Sequence, residues 1–198
     1  MPSTSAERVI HASIYGHVSA TPELFATLFD AHHEKSVNHD ADVAIFLVNP
    51  AAGIDNETIE AWRALDEVQM PRMVVITVMD GMELDFDDAV MVANRVFDSV
   101  VTPYLVLHGE NGTPIGTISL DNFETKDYST EPKIISQADG ELQELVSEFR
   151  EEYLEQMVEM GEGAFAAGIL FPAIPVNPAN GLGLDIVKQY LLELPGSR

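Results

Sequence analysis

The 198-residue sequence contains no cysteine, which excludes disulfides, thiolate metal sites and cysteine nucleophiles together. Cations are scarce: 10 Lys and Arg stand against 33 Asp and Glu, a formal net charge of −23. Such a surface repels nucleic-acid phosphates, so extensive direct contact with RNA or DNA is not expected. The same charge solubilises the chain and suits a basic protein partner. Long apolar runs are missing as well, since none reaches membrane-spanning length. The polar stretch 1–7, followed by a short apolar run broken at His11, does not read as a signal peptide. The expected location is cytoplasmic. What is present is a 46% hydrophobic composition typical of globular proteins. The length suits one domain spanning 1–198, with room for an inserted subdomain.

Apolar runs alternate with helical patterns, which predicts βα units around a mostly parallel sheet. The run from Arg8 to Tyr15 reads as a strand and 16–21 as a turn. Pro22 can open a helix whose apolar face is Leu24, Phe25, Leu28 and Phe29. Residues 43–48 and 73–78 are continuous apolar runs, the pattern of strands buried on both faces. Helical spacing covers 56–68 and 85–97. Residues 104–108 and 115–120 read as a hairpin, 121–132 as a charged loop, and 139–159 as one long acidic helix. Together, 101–164 reads as an α+β insertion. The βα rhythm returns with a strand in 169–176 and a helix over 185–194.

Residues 42–80 read DVAIFLVNPAAGIDNETIEAWRALDEVQMPRMVVITVMD. This resembles elongation factor G: an apolar strand, a small-residue turn, a helix, PR, a second apolar strand and the guanine-reading motif NKxD. GTISL at 116–120 resembles the GvIDL strand of that family's insertion. FPAIPVNPANGLGLDIVKQYL at 171–191 resembles its closing strand, loop and helix, and GHVSA at 16–20 the GHVDA that opens its phosphate-binding loop. The resemblance implies a three-layer α/β fold of the P-loop GTPase type. Only 34–41 separates His33 from Asp42, which leaves no room for switch I, two strands and the DxxG of switch II. The fold is therefore expected to lack two strands and the γ-phosphate sensor.

In the family register, Thr21 stands at the second glycine of the phosphate loop, Pro22 at the lysine and Glu23 at the Mg²⁺ ligand. Each change is adverse. Thr21 adds a Cβ where backbone must curl, Pro22 removes a cation and an N–H, and Glu23 places negative charge against a polyphosphate. Thr77 and Val78 replace the Asn and Lys of the guanine motif, leaving Asp80. The last base-contacting loop reads Asn177-Pro178. Gly16, Thr21, Asp80 and Asn177 are thus vestigial nucleotide-site candidates, with no catalytic residue, no metal site and no cofactor expected. GTP and Mg²⁺ enter only under the alternative of a genuine GTP-binding translation factor. A third reading is a small-molecule binder over 16–22.

Other chemistry finds little support. His17 and His39 read as surface or packing residues, and Ser19 has no evident base nearby in sequence. His32-His33-Glu34, read as helical, points its side chains apart. Asp85, Asp87 and Asp88 fit a helix start better than a calcium loop, and the Glu-rich run 148–159 reads as a solvated helix face. The resemblance implies a pseudo-GTPase acting through protein partners. Because the chain ends at Arg198, it is expected to lack the downstream domains with which the full factor drives translocation. The missing strands should leave the strand from Arg8 to Tyr15 at a sheet edge, and a homodimer through that edge is expected.

Overall fold

A computed structural model describes residues 9–78, 81 and 85–195. The chain builds β1 (Ala12–Tyr15), a one-turn 3-10 helix (Val18–Ala20), α1 (Pro22–Phe29), β2 (His32–His33), β3 (Val43–Val48), α2 (Asn56–Asp66), β4 (Arg72–Thr77) and α3 (Phe86–Val96). Then follow β5 (Tyr104–His108), β6 (Pro114–Ser119), β7 (Glu124–Asp127), β8 (Ile134–Gln137), α4 (Gly140–Leu145), α5 (Ser147–Met160), β9 (Ala173–Val176) and α6 (Leu184–Glu193).

Two sheets result. The first runs β2-β1-β3-β4-β9 with every pair parallel, and the second runs β5-β6-β7-β8 with every pair antiparallel. All residues of β3 and β4 are buried, because helices cover both faces of the parallel sheet. Alternation sorts the side chains. Ile45, Leu47, Val75 and Ile174 face Phe25 and Phe29 of α1 and Ile186 and Val187 of α6. Phe46, Val74 and Ile76 face Trp62 and Leu65 of α2 and Phe86 and Ala93 of α3. The fold is the expected α/β arrangement of a parallel sheet flanked by helices, with an antiparallel sheet beside it.

On the second face Arg72 is wholly buried. Its guanidinium lies 4.4 Å from the ring centroids of both Trp62 and Phe171. One nitrogen donates to the Trp62 carbonyl at 2.9 Å and another to the Asp66 carboxylate. Trp62 in turn stacks on Phe97 and donates its indole N–H to Asp98 at 3.0 Å.

The second sheet leaves and rejoins the first at one place. Val101 N–H donates to the Phe171 carbonyl and Ala173 N–H to the Val101 carbonyl, at 2.9 and 2.8 Å. Asp185 of α6 fastens it further, accepting from Lys126 Nζ (2.9 Å), Tyr128 Oη (2.6 Å) and Lys133 Nζ (2.7 Å).

Three sequence expectations need correction. The stretch 121–132 is not all loop: it contains β7, and β8 follows it. Both strands lack an apolar face, β8 being exposed throughout. They form because β6 offers a ladder, and Gly116 lets the Lys126 carbonyl approach to where a Cβ would stand only 2.5 Å away. The long acidic helix is two helices, broken at Val146, where Ser147 Oγ donates to the Glu144 carbonyl at 2.8 Å and competes with the helical ladder. Finally, β1 is not an edge. β2 pairs with it in parallel, Glu34 N–H donates to the Ile14 carbonyl at 3.0 Å, and Asn38 N–H donates to Tyr15 Oη at 3.0 Å. Residues 32–38 thus occupy the ladder that the expected homodimer would have used, so that geometry gives no support to pairing through Ala12–Tyr15. Arg8 lies outside the described residues.

Candidate functional site

Parallel α/β sheets present their ligand crevices at the carboxyl ends of the strands, and here β1 delivers the chain into the loop 16–23. Gly16 is needed for close approach: a Cβ there would stand 2.9 Å from Leu47 Cβ and 3.0 Å from the Leu47 carbonyl oxygen. Its role is to seat the loop on β3.

Beyond Gly16 the loop closes upon itself. Ala20 N–H donates to the His17 carbonyl (2.9 Å) and Thr21 N–H to the Val18 carbonyl (3.0 Å). Ser19 N–H donates to His17 Nδ1 at 3.2 Å, and the Ser19 hydroxyl donates to the same nitrogen at 2.7 Å. A base does therefore stand beside Ser19, contrary to the sequence reading. That nitrogen caps the 3-10 turn, with both its donors coming from Ser19. Asn49, at the end of β3, clamps the turn from outside by donating to the Ser19 carbonyl at 2.9 Å. The sequence reading passed over this residue, whose one signal is an amide directly after a buried strand.

Thr21 has φ 52° and ψ 54°. A β-branched residue rarely adopts this left-handed conformation, so the backbone here has a shape that favours glycine. Pro22 begins α1 and has no N–H to offer. Glu23 extends its carboxylate to His33 Nδ1 of β2 at 2.8 Å. His32 and His33 are therefore strand residues, not helical ones, and His33 is held by Glu23. Over the loop lies a cleft of about 820 Å³, walled by residues 33–37 on one side and α2 on the other. Glu23, Glu34, Asp55, Glu57 and Glu60 line it against a single lysine, Lys35, which leaves the rim acidic.

The remaining candidates follow the carboxyl ends of β4 and β9, at the same end of the parallel sheet but two and three strands across from β1. Thr77 ends β4 with its hydroxyl buried and unpartnered among the described residues. Val78 is buried, and its N–H donates to the Val176 carbonyl at 3.0 Å. Asp80 lies outside the described residues. Asn177 is buried and braces its own loop: Oδ1 accepts from Ala179 N–H (2.9 Å), its carbonyl from Gly181 N–H (2.9 Å), and its N–H donates to the Leu182 carbonyl (2.9 Å). Gly183 closes the loop at φ +78°, its Cα so near Pro175 that a Cβ would stand 1.9 Å from that carbonyl oxygen. Gly16 and Thr21 thus share one loop, Asn177 belongs to another, and each loop spends backbone donors internally. His17 and His39 are exposed, and Asp85 caps α3 by accepting from Asp88 N–H at 3.0 Å.

Comparison with known proteins gives these features a lineage. The profile of the elongation factor Tu GTP binding domain matches residues 29–194, beginning after the loop just described. Elongation factor G-like proteins from two strains of Mycobacterium tuberculosis are 27% identical over 164 residues, covering 72% of this chain. A crystal structure from Thermus thermophilus superposes with a TM-score of 0.67 at 23% identity over 79% of this chain, a likeness of fold. The chain spans only 23% of the length of those curated relatives and 27% of the solved chain. With a profile match over most of its residues and the parallel sheet that the match implies, the chain belongs to the family of the elongation factor Tu GTP binding domain.

Proposed function

We propose that this chain is an elongation factor G-like pseudo-GTPase, a domain that keeps the GTPase fold without binding or hydrolysing GTP and acts as a protein-interaction or regulatory module linked to translation. The observation that carries the reading is the state of the loop 16–23. A phosphate loop works by directing free backbone N–H groups and a lysine at the phosphates. Here the N–H groups of Ser19, Ala20 and Thr21 have partners inside the loop, Pro22 has none to give, and Glu23 faces the cleft with a carboxylate. A polyphosphate would meet negative charge and no lysine from this loop, an unfavourable field in a cleft where Lys35 stands against Glu23, Glu34, Asp55, Glu57 and Glu60. A chain of net charge −23 selects basic protein surfaces over nucleic acid.

Calorimetry with Mg²⁺-GTP and Mg²⁺-GDP tests the nucleotide half of this reading, and no saturable heat is expected at millimolar nucleotide. Micromolar binding would return the chain to the working GTPases. Affinity capture from the native cell tests the other half, with basic translation-associated proteins as the expected catch.

A further inference from the structure

Between the second sheet, α5 and α6 lies a cavity of about 610 Å³, separate from the cleft over the loop 16–23. Its walls carry three tyrosines, Tyr104 of β5, Tyr153 of α5 and Tyr190 of α6, with Phe165 edge-on to Tyr190 at 5.1 Å. Tyr153 is only 7% exposed, and its hydroxyl has no hydrogen-bond partner among the described residues. That side chain lines the cavity, where a ligand can supply the partner its hydroxyl lacks within the protein. The three tyrosines share this lining with the carboxylates of Asp121, Glu124 and Glu193. Burial first, and neighbouring phenols and carboxylates second, push Tyr104 and Tyr153 up to about 12 and raise Tyr190 as well.

Charge decides what such a cavity takes. Asp121, Glu124, Glu162 and Glu193 line it against one cation, Lys126, whose Nζ is already held by Asp185. The nearby Arg150 donates to the Asp121 carbonyl and leaves its carboxylate free of that contact. An anion is thus repelled, although phenols donate. Among the described residues no three acidic or histidine side chains converge to hold a metal ion, so the charge is spread over a volume larger than one ion. Aromatic faces and dispersed carboxylates together fit a cation that carries methylenes.

We propose that this cavity binds an organic ammonium ion, with Asp121 and Glu193 taking its charge, the phenol oxygens accepting its N–H groups and the tyrosine rings packing on its methylenes. The ammonium comes either from a free alkyl polyamine or from a lysine side chain of a partner.

Calorimetry of the full chain at physiological ionic strength tests this with two probes, spermidine and a short lysine-containing peptide. Saturable one-site binding is expected, weakened about tenfold by Glu193→Gln or Asp121→Asn, and weakened also by Tyr153→Phe, which keeps the ring and removes the hydroxyl. Glu110→Gln, in the exposed β5–β6 turn, removes the same charge at a distance and should leave affinity unchanged. Binding of spermidine alone assigns the site to a free amine; binding of the peptide assigns it to a partner's lysine. Absence of saturable binding to either probe would overturn the proposal. So would equal weakening by Glu110→Gln and Glu193→Gln, which is the mark of diffuse attraction to an acidic surface. Because Glu193 lies at the cavity rim, its variant keeps the test open should Tyr153→Phe fail to fold.

Discussion

At the scale of the residue, two backbone positions separate inheritance from use. Thr21 holds a left-handed conformation that a β-branched residue adopts at a cost. Thr21→Gly should therefore stabilise the fold by up to about 1 kcal/mol, the relief being partly offset by glycine's greater freedom when unfolded. It should not create nucleotide binding, because Pro22 and Glu23 remain. Urea unfolding measures the first point, and a loss of stability would show that the Thr21 side chain makes a contact worth more than its strain. Gly183 is the opposite case: its φ of +78° and its contact with Pro175 leave no space for a side chain. Gly183→Ala should cost at least about 2 kcal/mol, seen as a lowered midpoint with an unchanged denaturant slope.

At the scale of the element, α2, β4 and the segment before β9 are locked by one buried cation. Arg72 pairs two guanidinium nitrogens with Asp66 and the Trp62 carbonyl and stacks its plane on the rings of Trp62 and Phe171, while its buried Nε has no hydrogen-bond partner among the described residues. Removing one partner of such a group is worse than removing the group, because a buried charge is left short of compensation. Asp66→Ala is therefore expected to destabilise by about 2–4 kcal/mol, and Arg72→Met, which fills the same slot without charge, by less. Paired thermal unfolding curves give the order directly. The reverse order would mean that stacking on the two rings outweighs the ion pair.

For the whole molecule, the junction of the two sheets rests on Asp185. Burial works to raise its pKa, yet donation from Lys133, Tyr128 and Lys126 together holds the carboxyl down at about 2. A carboxyl lowered on folding contributes stability above its unfolded value, about 3.9, and loses that contribution as pH falls through the folded value. Wild type should thus exceed Asp185→Asn in stability at pH 7 and through about pH 5, with the gap closing as the pH approaches 2. Urea titrations across this range check it, and a gap independent of pH would assign the residue a purely steric role. The net charge of −23 acts on the same scale. Added salt should raise the melting temperature, because screening relieves the self-repulsion of the folded state.

Much of this was legible along the chain. The apolar runs of β3 and β4, the helical spacing of α2 and α3 and the proline at the head of α1 are local signals, written in period and composition. The residue types at Thr21, Pro22, Glu23, Thr77 and Val78, on which the proposed loss of nucleotide binding rests, are equally local, since a side chain or N–H that is absent is absent wherever the chain runs. The departures came where partners distant in sequence decide the outcome. β7 and β8 carry no hydrophobic pattern and exist because β6 presents a ladder; β2 is two histidines made into a strand by β1. Ser147 breaks a helix whose composition alone would continue it. The cavity of Tyr104, Tyr153 and Tyr190 joins residues from three elements, and the clamp of Asn49 on Ser19 joins two loops. The sequence by itself determined the buried strands and amphipathic helices of the parallel sheet and the side chains that stand in the loop 16–23, because propensity and functional groups belong to single residues. Tertiary structure alone decided the edge of the sheet and the contents of its clefts, because hydrogen-bond ladders and buried charge need two partners brought together.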